Sequence, residues 1–255
     1  MPAPPGGCAS PAFPANFDAA TAQPVISNAM NTANQAGGLT AGSLISLQGS
    51  NLSAVSASST TSPAPTTLGQ ACVTLNGNVI PLFMVSPSQI NGQLPLNAGA
   101  SGNLIVYTTG GVSAPFPLSV QPTAPSVIQV PSAPDSSVMI PAIYRVSDNL
   151  LVTLSNPVHK GDKLVIYVSG LGPTNPLVDA GMPSPSNPPA VAIIPPVVTL
   201  NGVTMPVTFA GLTPGQIGVY QIDVDVPKGV TQGLSIPLMV AQGTASSTVY
   251  VRVVE

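Results

Sequence analysis

The stretch from Val73 to Pro95 reads VTLNGNVIPLFMVSPSQINGQLP, and most of it returns later in the chain. VTLNG recurs at Val198 to Gly202, and Met205-Pro206 stands where Ile80-Pro81 stood. Pro214-x-Gln216-Ile217 repeats Pro87-x-Gln89-Ile90, and DVP (Asp225 to Pro227) closes the second copy as QLP closes the first. Asn-Gly between short apolar runs marks a type I′ hairpin, because both residues accept positive φ at little cost. Two such units in tandem predict two related all-β domains.

Composition agrees. A length of 255 residues suits two sandwiches rather than one. Apolar residues make up 44%, enough to fill two cores, while 31 Pro and 24 Gly punctuate the chain into short strands. Charged residues are only 5%, against about 25% in a typical soluble domain. The cations Arg145, Lys160, Lys163, Lys228 and Arg252 are scattered. Nucleic-acid binding needs them clustered, so that partner is excluded. A net charge of −3 on so bare a chain favours association with copies of itself, as a homo-oligomer or polymer. The apolar runs are too short and broken to span a membrane, and Met1 to Ser10 lacks the cationic start and apolar core of a signal peptide.

Taken in order, residues 1–24 form a Pro/Ala-rich N-terminal arm, with Phe13 and Phe17 as its apolar contacts for assembly. A first sandwich is expected over 25–122 and a second over 123–255. In the first, Pro24 to Met30, Gly42 to Leu47, Cys72 to Leu75, Val79 to Val85, Gln89 to Leu94, Asn103 to Thr109 and Val112 to Val120 read as strands. Asn51 to Thr67 reads as a loop; its Asn51-Leu52-Ser53 is a sequon, weighed against a plain solvated linker. In the second, KLVIYV (Lys163 to Val168) alternates, with Leu164, Ile166 and Val168 on one face. Val203 to Phe209, Val219 to Val226, Ser235 to Ala241 and Ser246 to Val254 follow as strands. An extracellular setting would permit a disulfide between Cys8 and Cys72, closing a loop of about 60 residues for ~4 kcal/mol; two unpaired thiols are the alternative.

No catalytic, cofactor or metal constellation is readable. His159 is the sole histidine and sits in a turn context without partners for a triad or a zinc site. Asp223 and Asp225 alternate on one strand and face one side, which reads as a solvated face rather than a calcium site. Ser169-Gly170-Leu171-Gly172 lacks the helix that a nucleophile elbow or phosphate loop requires, so its glycines are turn residues. Gln89 and Gln216 occupy matching places in the repeats and are expected to bond loop backbone.

Five blocks carry a family resemblance: GSLISLQGSNL (Gly42 to Leu52), PTTLGQACVTLNG (Pro65 to Gly77), VSPSQINGQLP (Val85 to Pro95), NPVHKGDKLVIYVSGLGPTNP (Asn156 to Pro176) and GLTPGQIGVYQIDVDVPKGV (Gly211 to Val230). With them the chain resembles an uncharacterised C-terminal domain of secreted acidobacterial (Solibacter-type) proteins. Its tandem units are similar to IPT/TIG sandwiches. The resemblance implies a secreted location and two tandem immunoglobulin-like (E-set) β-sandwiches, and it brings no catalytic residues. The resulting expectation is a non-enzymatic extracellular structural or adhesive protein that self-associates, using its arm or sheet edges as a filament or surface-assembly subunit. The alternatives are a carbohydrate-binding module on cell-surface or extracellular polysaccharide, or a passive spacer. The carbohydrate-binding alternative predicts a planar aromatic strip drawn from Tyr107, Tyr144, Tyr167, Tyr220 and Tyr250, the only tyrosines, with no Trp to help them.

Overall fold

The computed structural model describes Cys8, residues 23–35 and residues 38–255, and these contain strands and turns but no helix. Phe13 and Phe17 lie outside the described residues. The chain divides into two compact units that part between Pro122 and Thr123. The first also takes in Val178–Pro183, and the second resumes at Ser184.

In the first unit one sheet runs Val25–Asn31, Leu44–Ser50, Gln89–Gln93, Leu82–Val85 and Ala57–Ser58. The other centres on Ser101–Thr108, flanked by Ala71–Leu75 and by Gly111–Val112 and Phe116–Ser119. In sequence letters these are A-B-E-D and C-F-G, the strand order of an immunoglobulin constant-type sandwich. Ile45, Leu47, Leu82 and Ile90 from the first sheet meet Val73, Leu75, Leu104 and Val106 from the second in one core.

The second unit repeats that order. Ile143–Arg145, Lys163–Ser169, Tyr220–Asp225 and Val207–Leu212 are neighbours in one sheet; Val197–Leu200, Gly233–Gln242 and Ala245–Val254 are neighbours in the other. Both units also carry a parallel contact to their last strand or its end, Thr40 with Gln121 and Val158–His159 with Val253–Val254. The chain is therefore a tandem of immunoglobulin-like sandwiches, each defined by its own strand order.

The repeated stretch explains the likeness. Asn76 and Gly77 have φ of 50° and 80°, and Asn201 and Gly202 have 49° and 80°, as the type I′ turn demands. Beyond the turn, the expected strands Val79 to Val85 and Val203 to Phe209 each break at a proline. Asn78–Val79 pairs with Ala71–Leu75, but Leu82–Val85 belongs to the opposite sheet. Val203–Met205 and Val207–Leu212 part in the same way. Pro81 and Pro206 have no N–H to extend a ladder, and the chain crosses between sheets there. Both copies then carry a register shift, between Leu82 and Met84 and between Val207 and Phe209.

The ladder also corrects the pairing of glutamines. Asn91 lies opposite Met84 and Asp223 opposite Phe209, each facing residue three places after its proline. QINGQLP at Gln89 to Pro95 thus corresponds to QIDVDVP at Gln221 to Pro227. Gln221, not Gln216, is the counterpart of Gln89. Both make the same bond along their strand: Gln89 Nε2 donates to Asn91 Oδ1 (2.8 Å) and Gln221 Nε2 to Asp223 Oδ1 (3.1 Å). The second string, Pro214-x-Gln216-Ile217, lies in the loop before Tyr220–Asp225.

Cys8 and Cys72 form a disulfide, with Cα atoms 5.7 Å apart. Val178–Pro183 is bonded into the first unit: Gly181 N donates to Gln93 Oε1 (2.7 Å), and Ala64 N donates to Gly181 O (2.8 Å). Gly181 has φ +81°, and a Cβ there would stand 2.7 Å from Pro81 Cγ, so glycine is required twice over. In the sequon, Ser53 is buried with its hydroxyl 2.7 Å from Val55 O and 2.8 Å from Gly69 O.

Candidate functional site

In the A-B-E-D sheet of the second unit, alternation turns Leu164, Ile166, Val168, Ile222 and Val224 inward, where they are buried. Their neighbours face out. Ladder pairing aligns Tyr144 with Val165, Val165 with Asp223 and Asp223 with Phe209, a row across four strands. At about 4.8 Å per strand the row is ~14 Å long. Beside it runs a second row, Tyr167, Gln221 and Gly211. On its other side Lys163 faces Asp225.

Three aromatic rings therefore share one solvent face. Tyr144 and Tyr167 meet edge to face, centroids 5.6 Å apart and planes at 80°. Phe209 leans along its strand over Gly211: its Cζ lies 2.9 Å from where a Cβ of Gly211 would stand. Gly211 thus makes room for the ring, and also for the Ala190 carbonyl, which a Cβ would meet at 2.2 Å. The rings do not form the flat strip expected of a carbohydrate platform. The remaining tyrosines lie elsewhere: Tyr107 is in the first unit, Tyr250 is exposed on the opposite sheet, and Tyr220 is buried with its hydroxyl donating to Gly172 O.

Asp223 sits among these rings. Gln221 Nε2 donates to its two carboxylate oxygens at 3.1 and 3.3 Å. Among the described residues the ion pairs are Arg145–Asp148, Arg145–Asp162, Lys160–Glu255 and Lys163–Asp225, and His159 Nδ1 lies 3.3 Å from Asp162 Oδ2. Asp223 takes part in none of them. Burial pushes its carboxyl above the usual carboxylate range, and the Gln221 bond only partly opposes this. Burial likewise raises the Tyr167 phenol, helped by the nearby Tyr144 and Asp223. Asp223 and Asp225 share a face, as alternation requires, but that face is not simply solvated: Asp225 is paired with Lys163 at 3.0 Å, while Asp223 is half-buried and unpaired.

A raised carboxyl pKa has a definite sign. Above it, Asp223 is ionised in both folded and unfolded chains, and the folded state bears the desolvation. As pH falls through the folded pKa the native state takes up its proton first, so stability rises until the unfolded carboxyl also protonates. Asp223→Asn is therefore expected to melt no lower than the parent at neutral pH, with the difference closing as pH falls toward 4. Thermal unfolding at several pH values checks this; a lower melting temperature at pH 7 would contradict it.

The second polar cluster is structural. Arg145, on the strand that lies between Leu150–Leu151 and Lys163–Ser169 in the same sheet, donates to Asp148, to Asn156 Oδ1, to Pro157 O (3.1 Å) and to His159 Nδ1 (2.7 Å). That last bond makes Nδ1 an acceptor, and Asp162 Oδ2 instead accepts the His159 main-chain N–H at 2.7 Å. The guanidinium and the Leu150 N–H hold Asp148 below its ordinary value. His159 thus lies on a short strand within an Arg–Asp cluster rather than in a bare turn. Every group there is engaged in tying the 145–162 connection together. Gly170 and Gly172 have φ of 82° and 76°, as turn residues do. Among the described residues no three His, Cys, Asp or Glu side chains converge as metal ligands, and no helix is long and apolar enough to cross a membrane.

Sequence reasoning did not assemble the site. Tyr144, Tyr167, Phe209, Gln221 and Asp223 come from four strands, and only the cross-strand register joins them. The available signal was the alternation of KLVIYV and QIDVDV.

No family model matches the chain, and no curated protein does. Solved structures similar to it include SGBP-B from a complex xyloglucan utilization locus in Bacteroides uniformis, at 12% identity and TM-score 0.28, over 90% of this chain and 49% of that one. The Plexin A4 extracellular region is similar at 10% identity and TM-score 0.29, over 91% of this chain and 18% of that one. The gamma-CGTase of alkalophilic Bacillus clarkii is similar at 12% identity and TM-score 0.28, over 89% and 24%. The chain thus spans about half the length of the first and less than a quarter of the other two. It is strand order, and not these distant likenesses, that defines the immunoglobulin-like class.

Proposed function

We propose that the chain is an extracellular, non-catalytic binding module that holds a glycan against the outer face of its second sandwich, and that it belongs with the secreted acidobacterial domain it resembles. The observation carrying this reading is the grouping of Tyr144, Tyr167 and Phe209 with Gln221 and Asp223 in two adjacent rows. Aromatic rings offer apolar faces to sugar C–H groups, and the amide and carboxylate offer bonds to sugar hydroxyls. The Cys8–Cys72 disulfide supports an oxidising, extracellular setting. The other carboxylate of this face, Asp225, is paired with Lys163 at 3.0 Å, which leaves Asp223 as the carboxylate among the rings for a ligand to meet. Tyr167→Ala is expected to weaken binding to immobilised polysaccharides about tenfold, the equivalent of ~1.4 kcal/mol. Affinity electrophoresis against a polysaccharide panel reads this directly, and identical retention of parent and variant would count against the reading.

Self-association is a second reading, favoured by one observation. Among the described residues of the first unit, Asp179 is the sole Asp, Glu, Lys, Arg or His. Copies meeting through that sandwich have almost no like charge to repel them. Because Cys8 is bonded within its own chain, the contact would run through sheet surfaces rather than an exchanged arm. Sedimentation velocity should show mass rising with concentration; a concentration-independent monomer refutes it.

A further inference from the structure

We infer that the Asp223 face binds a primary ammonium group, and that its ligand is an amino-sugar polymer rather than a neutral or acidic one. The inference rests on the glycan reading above and narrows it.

Asp223 is a half-buried carboxylate with no cation of its own among the described residues. The nearest basic side chain in its sheet face, Lys163, is bonded to Asp225 at 3.0 Å. Arg145 is committed to Asp148, Asn156, Pro157 and His159. A desolvated, unpaired carboxylate is unfavourable for folding, and an arriving cation relieves that directly.

The surrounding groups suit an ammonium in particular. Val165 and Phe209 flank Asp223 in its row, Tyr144 closes the row, and Tyr167 with Gln221 lies alongside. Aromatic faces attract cations through their quadrupole, most strongly where water is partly excluded. The same charge distribution opposes acidic ligands. A uronate would place a third carboxylate against Asp223 and Asp225 with one lysine, already paired, to offset them. Two phenols and the Gln221 Oε1 remain beside Asp223 for hydroxyl groups, its Nε2 being bonded to the carboxylate, and a polysaccharide supplies such hydroxyls along the ~14 Å row where a lysine side chain does not.

Isothermal titration at about pH 6 tests this with four probes: a glucosamine oligomer, its fully N-acetylated form, an oligogalacturonate and a lysine oligomer. The expected result is binding of the glucosamine oligomer at least about tenfold tighter than the acetylated one, with the preference abolished in Asp223→Asn. That variant removes a desolvated charge, so it is expected to fold. Equal affinity for the two glucosamine forms, both weakened by Tyr167→Ala, would keep the glycan reading and overturn the ammonium inference. Galacturonate binding as tight as glucosamine would overturn it too. Binding of the lysine oligomer alone, or of no probe with every polysaccharide also failing, would overturn both.

Discussion

Reducing the Cys8–Cys72 bridge lowers the stability of the first sandwich by about 4 kcal/mol and leaves the second unchanged. The two cysteines are 64 residues apart in sequence, so the bridge removes a large loop from the unfolded ensemble. Cys72 belongs to Ala71–Leu75, a strand buried at every position and paired with Ser101–Thr108. Alternation turns Cys72 away from the core that Val73 and Leu75 enter, yet both cysteines are buried. The bridge therefore covers the outer side of a central strand as well as closing a loop. Denaturant unfolding of oxidised and reduced protein should show one transition moving and the other fixed. A Cys8→Ala, Cys72→Ala double variant separates loss of the link from the chemistry of free thiols. Superimposable curves would show that the link contributes nothing.

Gly49→Ala is the smallest substitution expected to detach an entire strand. A Cβ at Gly49 would stand 1.9 Å from Val25 O and 3.0 Å from Val25 C. Both atoms are backbone, so no rotamer can relieve the overlap. Val25–Asn31 is an edge strand whose sheet partner is Leu44–Ser50. The methyl forces that edge away, at about 3 kcal/mol, and exposes Ile26, which belongs to the core. Hydrogen exchange should show Val25–Asn31 losing protection ahead of the rest of the unit. Gly229→Ala, where a Cβ meets nothing, is the control expected to behave as the parent. Retained protection in Gly49→Ala would mean that the strand accommodates the methyl.

These effects follow from features the sequence displays unevenly. Asn76-Gly77 and Asn201-Gly202 announce their turns, because local backbone chemistry alone selects them. Alternation in KLVIYV and QIDVDV shows which side chains enter the core. The breaks at Pro81 and Pro206 were equally local, yet apolar residues on both sides make each segment read as one strand. Gln216 misleads for a different reason: a short identical string recurs by chance a few residues before the true counterpart, Gln221. The site could not be read along the chain. Whether Asp223 meets a cation or an aromatic ring depends on which residues of three other strands stand opposite it, and register over such separations is set by tertiary packing.

The nearly ionless first sandwich has a consequence for how the protein tolerates its surroundings. Acid denaturation works by protonating carboxylates that were paired or bonded in the native state, and this unit offers Asp179 alone among its described residues. Brine, which weakens proteins by screening surface pairs, likewise finds none there to screen. What remains to act on it are agents that change the solvation of apolar and peptide groups, so its melting should track the Hofmeister rank of a salt and ignore its ionic strength.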